Sequence, residues 1–500
     1  MAEAVGLLII NAVAAAGVTG PAGFALASTT VVGVGLTTIV GSAAIIGASI
    51  GLQYALNGTP GAPRPEDGSQ AIRQSIPARQ RGYGINRLAG AYMYFEASDS
   101  GGPPAQSYDV IAFHSGKIDS LLGMYLSDDS ISTIPSVLNG GLSAGEVQGL
   151  SDGSYQIPSG GTGHPVLIQI RLGDASQTAM SSIVGWDSTH RGDGIAYAGI
   201  ICAGIGDPSE HSRIYPRGRP ELSVVANCSP IWDPRDGAQS FGDPSTWVTK
   251  SNPVLELIDY VTREDGGMGQ DLDIVFPPDV LAQWMVEADL CDALVEGAPR
   301  YVSDGWFRYD TSPEDVINSI LSTCDGWLAE AGDGTLSLTV GVYREPTEPP
   351  LTEHDIVGVS LHCGQADEQI INVLNVSFTD PAQKFVSAAL DDVRDEISIS
   401  ELGAERPKPL SLTWVQSEAQ AERLAGRALQ RLNPRRSGTF TTKLIGLRYF
   451  GKRWVKVQYP FLADLEDCVV EIQPSPTIDL LTGTVLFSWI LVDPAALAEI

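Results

Sequence analysis

The chain has 500 residues, with 31 Lys and Arg side chains against 60 Asp and Glu, and a formal net charge of −29 at pH 7. This length predicts several domains, and a hydrophobic fraction of 43% with only 18% charged residues predicts folded cores rather than general disorder. A pI near 4.4 argues against a protein that grips nucleic acid or adsorbs to anionic membranes, because both need clustered Lys and Arg, although transient passage of nucleic acid through an acidic channel stays open.

The first 63 residues form an uncharged leader. Glu3 is the only charged residue before Arg64, so residues 4–63 are an uncharged run of 60. The leader has no basic start and is longer than a signal peptide. Its second apolar stretch, 31–56, would span about 39 Å as a helix, more than the hydrocarbon core of a bilayer. It is rich in Gly, and Gly47 and Gly51 form a GxxxG pattern that permits close helix approach.

Three interpretations of the leader compete: a membrane anchor, a plug or helix bundle on a symmetry axis, and a segment stored in an assembly and released into a membrane. The sequence alone does not separate the last two. The small residues fit a plug or helix bundle as well as they fit an anchor. The residues proposed for this axial or membrane segment are Leu36, Ile39, Ile45, Gly47 and Gly51.

Residues 64–250 are predicted to form a β-rich domain. A Pro- and Gly-rich linker at 57–68 marks its start. The alternation of Val166, Ile168, Ile170 and Leu172 is typical of a half-buried strand. Other predicted strands are 92–95, 108–113, 195–202 and 222–227, with long surface loops in the Gly- and Ser-rich stretch 137–163.

Residues 251–350 are predicted to form an α+β domain of helices and a hairpin. Asn252 and Pro253 provide a cap and a first-turn proline for one helix, 280–295 has helical spacing, and 312–315 resembles a capping box. Residues 327–343 are predicted to form a hairpin. In a C-terminal α+β domain, 351–500, we expect a helix at 417–432 and strands near 371–378, 439–446, 453–459, 468–473 and 484–492. The predicted fold class is therefore multidomain α+β.

The motifs of known chemistry are missing from the sequence. There is no phosphate loop, no Gly-x-Ser-x-Gly and no His-Glu-x-x-His, and the six Cys are scattered, which indicates free thiols. His362 and Cys363 are adjacent, so on a strand they would point to opposite faces. Acid pairs such as Glu264-Asp265 could serve a glycosidase, but 60 acids produce such pairs by composition alone. We therefore predict no catalytic residue, no metal and no cofactor.

Several short stretches in one order carry a resemblance to a known family. They include Trp232-Asp233-Pro234, Asn252-Pro253, Asp259-Tyr260, and the glycines Gly267 and Gly269. The matching stretches are 217–225, 231–235, 251–262, 267–269, 288–291, 300–301, 313–322 and 332–334. This run resembles the central tail hub proteins of long-tailed bacteriophages, whose best-known type is the lambda-like tip attachment, or host-specificity, protein.

The resemblance implies a structural virion protein with β-barrel-like domains. Such hubs are homotrimers at the distal end of the tail tube, joining tube to tip around the channel through which DNA is ejected. The implied partners are the distal tail protein, tip or fibre proteins, the tape measure protein and DNA in transit, and the implied location is the phage tail tip after synthesis in the host cytoplasm. The family has no catalytic residues to carry over. The chain ends without the long C-terminal extension of the lambda-like type, so receptor recognition is expected from other proteins.

Two alternatives of other classes stay open. One is a peptidoglycan hydrolase carried in the tail tip, and the other is a tip protein that perforates the host membrane through residues 1–60. For the hub itself, the acid excess predicts a channel wall that repels DNA phosphates.

Overall fold

The computed structural model describes residues 52, 55–56, 63–74, 77–98, 106–141, 143–156, 165–330, 335–364, 369–473 and 476–498. The proposed leader residues Leu36, Ile39, Ile45, Gly47 and Gly51 lie outside the described residues. Within the described ranges, no helix has both the length and the apolar character needed to cross a membrane.

Two packed sheets form most of the N-terminal region. The six-stranded sheet has the order β3-β4-β10-β9-β8-β7 and the four-stranded sheet has the order β2-β11-β5-β6; they share one hydrophobic core. The strands are β1 Gln80–Tyr83, β2 Ile85–Leu88, β3 Ala91–Ser98, β4 Gln106–Ser115, β5 Ser120–Leu126, β6 Asp129–Ile131, β7 Thr133–Ile134, β8 Gly145–Val147, β9 Val166–Leu172, β10 Ile195–Cys202, β11 Leu222–Asn227, β12 Pro230–Ile231 and β13 Val248–Thr249. Helix α1 is Pro208–Ile214, and 3-10 turns cover Pro65–Ser69 and Pro244–Thr246.

Strand β9 departs from its predicted half-buried form. Val166, Ile168 and Ile170 face the core as expected. The opposite face is buried as well, because the 174–194 loop covers it and the carbonyls of Thr178 and Ala179 accept hydrogen bonds from Arg171. The alternation is therefore correct, but a polar face of a strand can be buried when a loop supplies its hydrogen-bond partners.

The central region contains four helices among the described residues, α2 Pro253–Thr262, α3 Leu272–Val275, α4 Pro278–Asp292 and α5 Pro313–Thr323. Its strands are β14 Leu294–Val295, β15 Ala298–Pro299, β16 Gly305–Arg308, β17 Trp327–Glu330 and β18 Leu336–Thr339. The predicted helix at 280–295 ends at Asp292 instead, since Leu294 and Val295 begin a short hairpin. Strand β1 pairs with β16 and so joins the N-terminal region to this one.

The C-terminal region contains two further sheets. One has the order β19-β26-β27-β29-β25-β20 with β28 on β29, and in the other β21 pairs with β22, β23 and β24. The strands are β19 Leu351–Thr352, β20 Ile356–Cys363, β21 Val373–Asp380, β22 Val386–Ala389, β23 Val393–Arg394, β24 Pro407–Leu412, β25 Arg436–Lys443, β26 Trp454–Gln458, β27 Cys468–Ile472, β28 Thr477–Asp479 and β29 Thr484–Val492. The helices are α6 Glu396–Leu402, α7 Glu418–Leu432 and α8 Pro494–Ala498, with 3-10 turns at Pro381–Gln383, Leu444–Tyr449 and Ala463–Leu465.

The architecture is mixed α+β and strand-rich, as the sequence predicts. None of the sheets in the described ranges closes into a barrel. One hydrophobic core extends from α2 to α7 and so continues across position 350. Leu52, Ala55 and Leu56 at the end of the leader belong to this central core, where they are buried.

Candidate functional site

The residues of the family-like motif meet around helix α2. Asn252 caps the helix: its side-chain oxygen accepts hydrogen bonds from the backbone N–H groups of Val254 (3.1 Å) and Leu255 (3.4 Å). Pro253 occupies the first helical turn, where a missing N–H costs nothing. The Asn252 amide also donates to the carbonyl of Ala288 and the carboxylate of Asp292, both at 3.0 Å, so the cap fixes α2 to α4.

Asp259 is the buried anion of this motif. Its carboxylate accepts hydrogen bonds from the Tyr83 hydroxyl (2.9 Å) and from Arg263 (2.6 and 2.9 Å), and Arg81 lies 3.9 Å away. Burial alone would raise the pKa of Asp259, but the two arginines outweigh it and lower that pKa. The carboxylate is thus ionised and ties β1 to the end of α2.

Tyr260, Gly267 and Gly269 shape the C-terminal end of α2. The Tyr260 ring meets Phe307 edge to face, with ring centroids 5.5 Å apart. A Cβ on Gly267 would lie 2.6 Å from the carbonyl oxygen of Arg263, so only glycine fits there. Gly269 has φ +64° and donates its N–H to the same carbonyl, which closes the turn after the helix.

Trp232, Asp233 and Pro234 lie in the segment that packs against α4. Asp233 accepts hydrogen bonds from Arg235 at 2.9 and 3.0 Å, and Arg235 reaches Asp289 (2.8 Å) and Asp292 (2.9 Å) on α4. Trp232 meets Phe241 edge to face at 5.1 Å. Asp292 is therefore shared by Arg235 and the Asn252 cap, and the motif forms one connected framework around α2 and α4.

A buried charge cluster, not predicted from the sequence, joins the central core to the C-terminal sheet. Asp325 follows α5, Glu471 lies on β27, and both are 0% exposed. Three buried arginines surround them: Arg427 (2.9 Å to Asp325), Arg431, which pairs with both acids, and Arg453 (3.2 Å to each acid). Burial would raise the pKa of Asp325, but these arginines lower it far below its usual range. The spacing of Arg427 and Arg431 on the inner side of α7 is the only local signal of this cluster.

A second unpredicted cluster contains buried acids without a counter-charge. Neither carboxyl oxygen of Glu256 on α2 has a hydrogen-bond partner among the described residues, and Glu256 is 0% exposed. Burial raises the pKa of Glu256 well above its usual range, an effect that the nearby Ser303 hydroxyl only partly offsets. Its neighbour Asp304 accepts hydrogen bonds from the Ile85 N–H (2.8 Å) and the Ser251 hydroxyl (2.7 Å), yet burial raises the pKa of Asp304 to about 6.

One pair of residues has the identities of a nucleophile and its base. Ser229 Oγ lies 3.2 Å from His114 Nε2. His114 Nδ1 faces the carbonyl oxygen of Gly116 at 3.1 Å rather than a carboxylate, and burial lowers the pKa of His114 to about 3. Ser229 and His114 are 0% and 2% exposed, so a substrate does not reach them in this conformation. The pair is a buried polar contact between β4 and the segment after β11.

The described residues show little other sign of a small-molecule site. A cleft of about 20 Å³, lined by Asn86, Arg87, Trp306 and Trp414, has room for roughly one water molecule. Among the described residues, no group of three or more His, Cys, Asp or Glu side chains is placed to hold a metal ion.

The acid excess is concentrated in one region. Residues 251–350 contain 20 acids and 4 bases. Among the described residues, ten of these acids are exposed, whereas none of the four bases is exposed. The exposed acids are Glu264, Asp265, Asp271, Asp273, Asp279, Asp289, Asp292, Glu296, Asp310 and Glu345. By contrast, residues 423–463 contain ten bases and no acid. Four of these ten bases are exposed, Arg435, Lys443, Arg448 and Lys452, whereas Arg427, Arg431 and Arg453 are buried. The surface therefore has an acidic side on α3 and α4 and a smaller basic part in the C-terminal region.

No protein-family model matches the chain, and no curated protein matches it either. Among solved structures, the fold is similar to a chain from the virion of a native gene transfer agent particle, with a TM-score of 0.52 and 13% sequence identity over 90% of this chain and 94% of that chain. Lower TM-scores are found for two tail proteins. The 43 kDa tail protein of prophage MuSo2 from Shewanella oneidensis gives 0.27, at 10% identity over 84% and 98% of the two chains. The tail protein from Neisseria meningitidis MC58 gives 0.28, at 12% identity over 85% and 99%. The first similarity extends over nearly all of both chains and shows a shared fold.

Proposed function

We propose that this chain is a structural virion protein of a phage tail: a trimeric hub at the distal end of the tail tube that joins tube to tip and surrounds the DNA channel. The observation that carries the proposal is the fold shared with a virion chain over 90% of this chain and 94% of that one. The sequence resemblance to tail hub proteins supports it independently, and the residues that carry the resemblance form a single framework around α2 and α4.

The surface charge supports a channel that DNA crosses without adhering. Ten exposed acids and no exposed base lie among the described residues between 251 and 350. Such a surface repels phosphates, and the repulsion is strongest in a narrow channel with walls of low dielectric constant. In this proposal the acidic side of α3 and α4 faces the lumen or a subunit boundary beside it.

The leader is proposed as an axial plug that reaches the host membrane during infection. Leu52, Ala55 and Leu56 support this role, because they are buried in the central core and attach the leader to the body of the hub. The buried Ser229–His114 pair does not support a serine hydrolase, because neither side chain is accessible to a substrate.

Electron cryomicroscopy of intact tails tests the hub directly. We expect three copies of the chain around one axis at the distal end of the tube, with the acids of α3 and α4 near the channel. A single copy or six copies at that position would contradict the trimer. Acids that all face bulk solvent would contradict the repulsive channel.

Two assays separate the alternatives from the hub. A zymogram on peptidoglycan should show no clearing by the full chain, and clearing that disappears on mutation of one acid pair would establish a hydrolase. Leakage of liposomes by the full chain should depend on residues 1–60. Leakage that is unchanged by their deletion would remove the membrane role and leave the hub proposal intact.

A further inference from the structure

A short basic and apolar turn projects from the C-terminal sheet. It consists of residues 443–448, the last residue of β25 and the start of the 3-10 turn, and is named here the basic turn. Three of its large aliphatic side chains are exposed: Leu444 by 47%, Ile445 by 36% and Leu447 by 40%. Adjacent exposed aliphatic residues of this kind often mark a surface that binds a partner.

The charges of the basic turn lack anionic partners. Lys443 and Arg448 flank the three aliphatic residues, and both are exposed. Lys443 donates a hydrogen bond to the carbonyl of His354 at 2.6 Å. Neither cation pairs with a carboxylate from the part of the chain that the structure describes. The turn therefore combines an apolar centre with two unneutralised positive charges.

The backbone of the basic turn is held firmly from beneath. A Cβ on Gly446 would lie 2.9 Å from the Phe487 ring, so the turn lies directly on the sheet there. After the turn, the Tyr449 hydroxyl donates to the carbonyl of Pro349 at 2.9 Å. Side chains on a turn fixed in this way lose little conformational entropy when they bind a partner.

The acidic side of the central region has the opposite composition. Ile274 on α3 is 47% exposed and is flanked by the exposed acids Asp271 and Asp273, with Glu264 and Asp279 on the adjoining segments. None of these four acids forms an ion pair with a described residue. These four acids with Ile274 are named here the acidic surface. It offers an apolar centre with negative charges around it, which matches the basic turn in both respects.

We propose that the basic turn of one copy of this chain docks on the acidic surface of a second copy, so that copies join head to tail. The two surfaces differ, so the contact is heterologous, and repeated contacts of this kind close into a ring when the rotation permits. This inference rests on the proposed trimer and adds to it which surfaces meet. Every copy carries both surfaces, so the ring contains equal numbers of each.

An anionic membrane is the other occupant that a basic and apolar turn suits. The whole chain carries a net charge of −29, which opposes its approach to anionic lipids, whereas the acidic surface is present in every copy at fixed stoichiometry. Nucleic acid is a poorer match, because two cations neutralise few phosphates.

Zero-length cross-linking tests the contact. The full chain is prepared with natural and with ¹⁵N isotopes, mixed in equal amounts, treated with a carbodiimide and digested for mass spectrometry. We expect mixed-isotope peptide pairs that join Lys443 to Glu264, Asp271, Asp273 or Asp279, because only contacts between copies give mixed isotopes.

A charge exchange tests the energetics. By analytical ultracentrifugation, Lys443→Glu with Arg448→Glu should weaken self-association at least tenfold, and Asp273→Lys with Asp279→Lys should do the same. A fourfold variant that carries all four of these substitutions has the reversed charge on both surfaces. It should recover most of the wild-type affinity for self-association. Lys117→Glu with Arg435→Glu changes the net charge equally at exposed bases outside the turn and should leave association nearly unchanged.

The outcomes separate this inference from the proposed function. Trimers that persist in the charge-reversed variants, with cross-links elsewhere, would overturn the inference and leave the hub intact. A wild-type chain that stays monomeric at every concentration and gives no mixed-isotope pairs would reject both the interface and the trimer. Binding to vesicles containing phosphatidylglycerol that the Lys443→Glu, Arg448→Glu variant loses, without mixed-isotope pairs, would assign the turn to a membrane.

Discussion

Two carboxyl groups in the middle of the molecule are equally inaccessible to water but have opposite surroundings. Asp325 is held by the guanidinium groups of Arg427, Arg431 and Arg453, whereas Glu256 has no hydrogen-bond partner among the described residues. Burial acts on both acids, but only at Asp325 do neighbouring cations reverse its effect on the pKa. The first acid is therefore ionised, and the second is favoured in its protonated form.

The two acids also connect different parts of the molecule. The Asp325 cluster reaches Glu471 through Arg431 and Arg453 and thereby fixes α7 and the C-terminal sheet to the central core. Glu256 and Asp304 lie where α2 meets the β1–β2 turn, since Asp304 binds the Ile85 N–H. Buried acids that are paired with cations join these parts in the ionised form, while buried acids without cations give a joint whose stability depends on proton concentration.

The largest effect is expected from removing the central anion. Asp325→Ala leaves three buried arginines with one remaining acid, and breaking a buried ion pair in this way costs about 3–5 kcal/mol. The free energy of unfolding, measured with urea at pH 7, should fall by that amount. Asp464→Ala removes a partly exposed partner of Arg436 and should cost about 0–1 kcal/mol. Equal losses in the two variants would contradict the special role of the cluster.

The pH dependence of the stability that Asp325 contributes follows from the direction of its pKa shift. The pKa is lower in the folded chain than in the unfolded chain, so the contribution is fully present above the unfolded pKa and is lost as the pH falls. The deficit of Asp325→Ala relative to the wild-type chain should therefore be constant between pH 6 and 8 and shrink in strong acid. A deficit that grew on acidification would contradict this sign.

Glu256→Gln should have a smaller effect of the opposite sign. The folded chain holds the proton of Glu256 more tightly than the unfolded chain, so wild-type stability is fully present below the unfolded pKa and declines as the pH rises toward the folded pKa. Gln has nearly the same shape and no charge. We expect the variant to match the wild-type chain at pH 4 and to exceed it by about 1–2 kcal/mol at pH 8. Urea unfolding across that range measures the difference.

A matched variant identifies the source of that difference. Glu264 is exposed in the loop after α2, so Glu264→Gln should give no comparable pH-dependent gain. A gain of equal size in both variants would indicate general relief of negative charge. Buried Glu256 would then have no particular role.

The sequence predicts local features of this molecule well and long-range ones poorly. Asn252 and Ser312 cap helices as expected, and Ser417 caps the helix predicted at 417–432, because a cap needs only the next three residues of the chain. The predicted strand at 439–446 is wrong in its last three residues: β25 ends at Lys443, and the next residues form a 3-10 turn. Just past that end, a Cβ on Gly446 would overlap the Thr442 hydroxyl and lie 2.9 Å from the ring of the distant Phe487.

Both acid clusters belong to this long-range class. Asp325 and Glu471 are 146 positions apart, and their common arginines lie on α7 and before β26. Arginines in an amphipathic helix are usually exposed, so the four-residue spacing of Arg427 and Arg431 shows that they share a side of α7 but not that this side is buried. Glu256 likewise has the spacing of an ordinary first-turn helical acid. The family-like residues could be chosen from the sequence, but their common position around α2 and α4 became evident only from the fold.

The smallest effect is expected at the neighbour of Glu256. Ser251→Ala removes a donor at 2.7 Å from the Asp304 carboxylate and leaves the Ile85 N–H as its remaining donor in the described part of the chain. A hydrogen bond to a carboxylate favours the ionised form, so its loss should raise the pKa of Asp304 further above about 6. In the wild-type chain, the contribution of Asp304 to the free energy of unfolding declines as the pH rises from its pKa in the unfolded chain toward 6. The variant should extend that decline to higher pH.

For Ser251→Ala we expect the free energy of unfolding to fall by about 1 kcal/mol at pH 8 and by less at pH 5, where Asp304 is largely protonated in both chains. Thr311→Ala changes a partly buried hydroxyl elsewhere in the central region and should show no such pH dependence. A loss from Ser251→Ala that is the same at pH 5 and pH 8 would show that the hydroxyl supports packing alone, and that the joint at Glu256 does not respond to protons through Asp304.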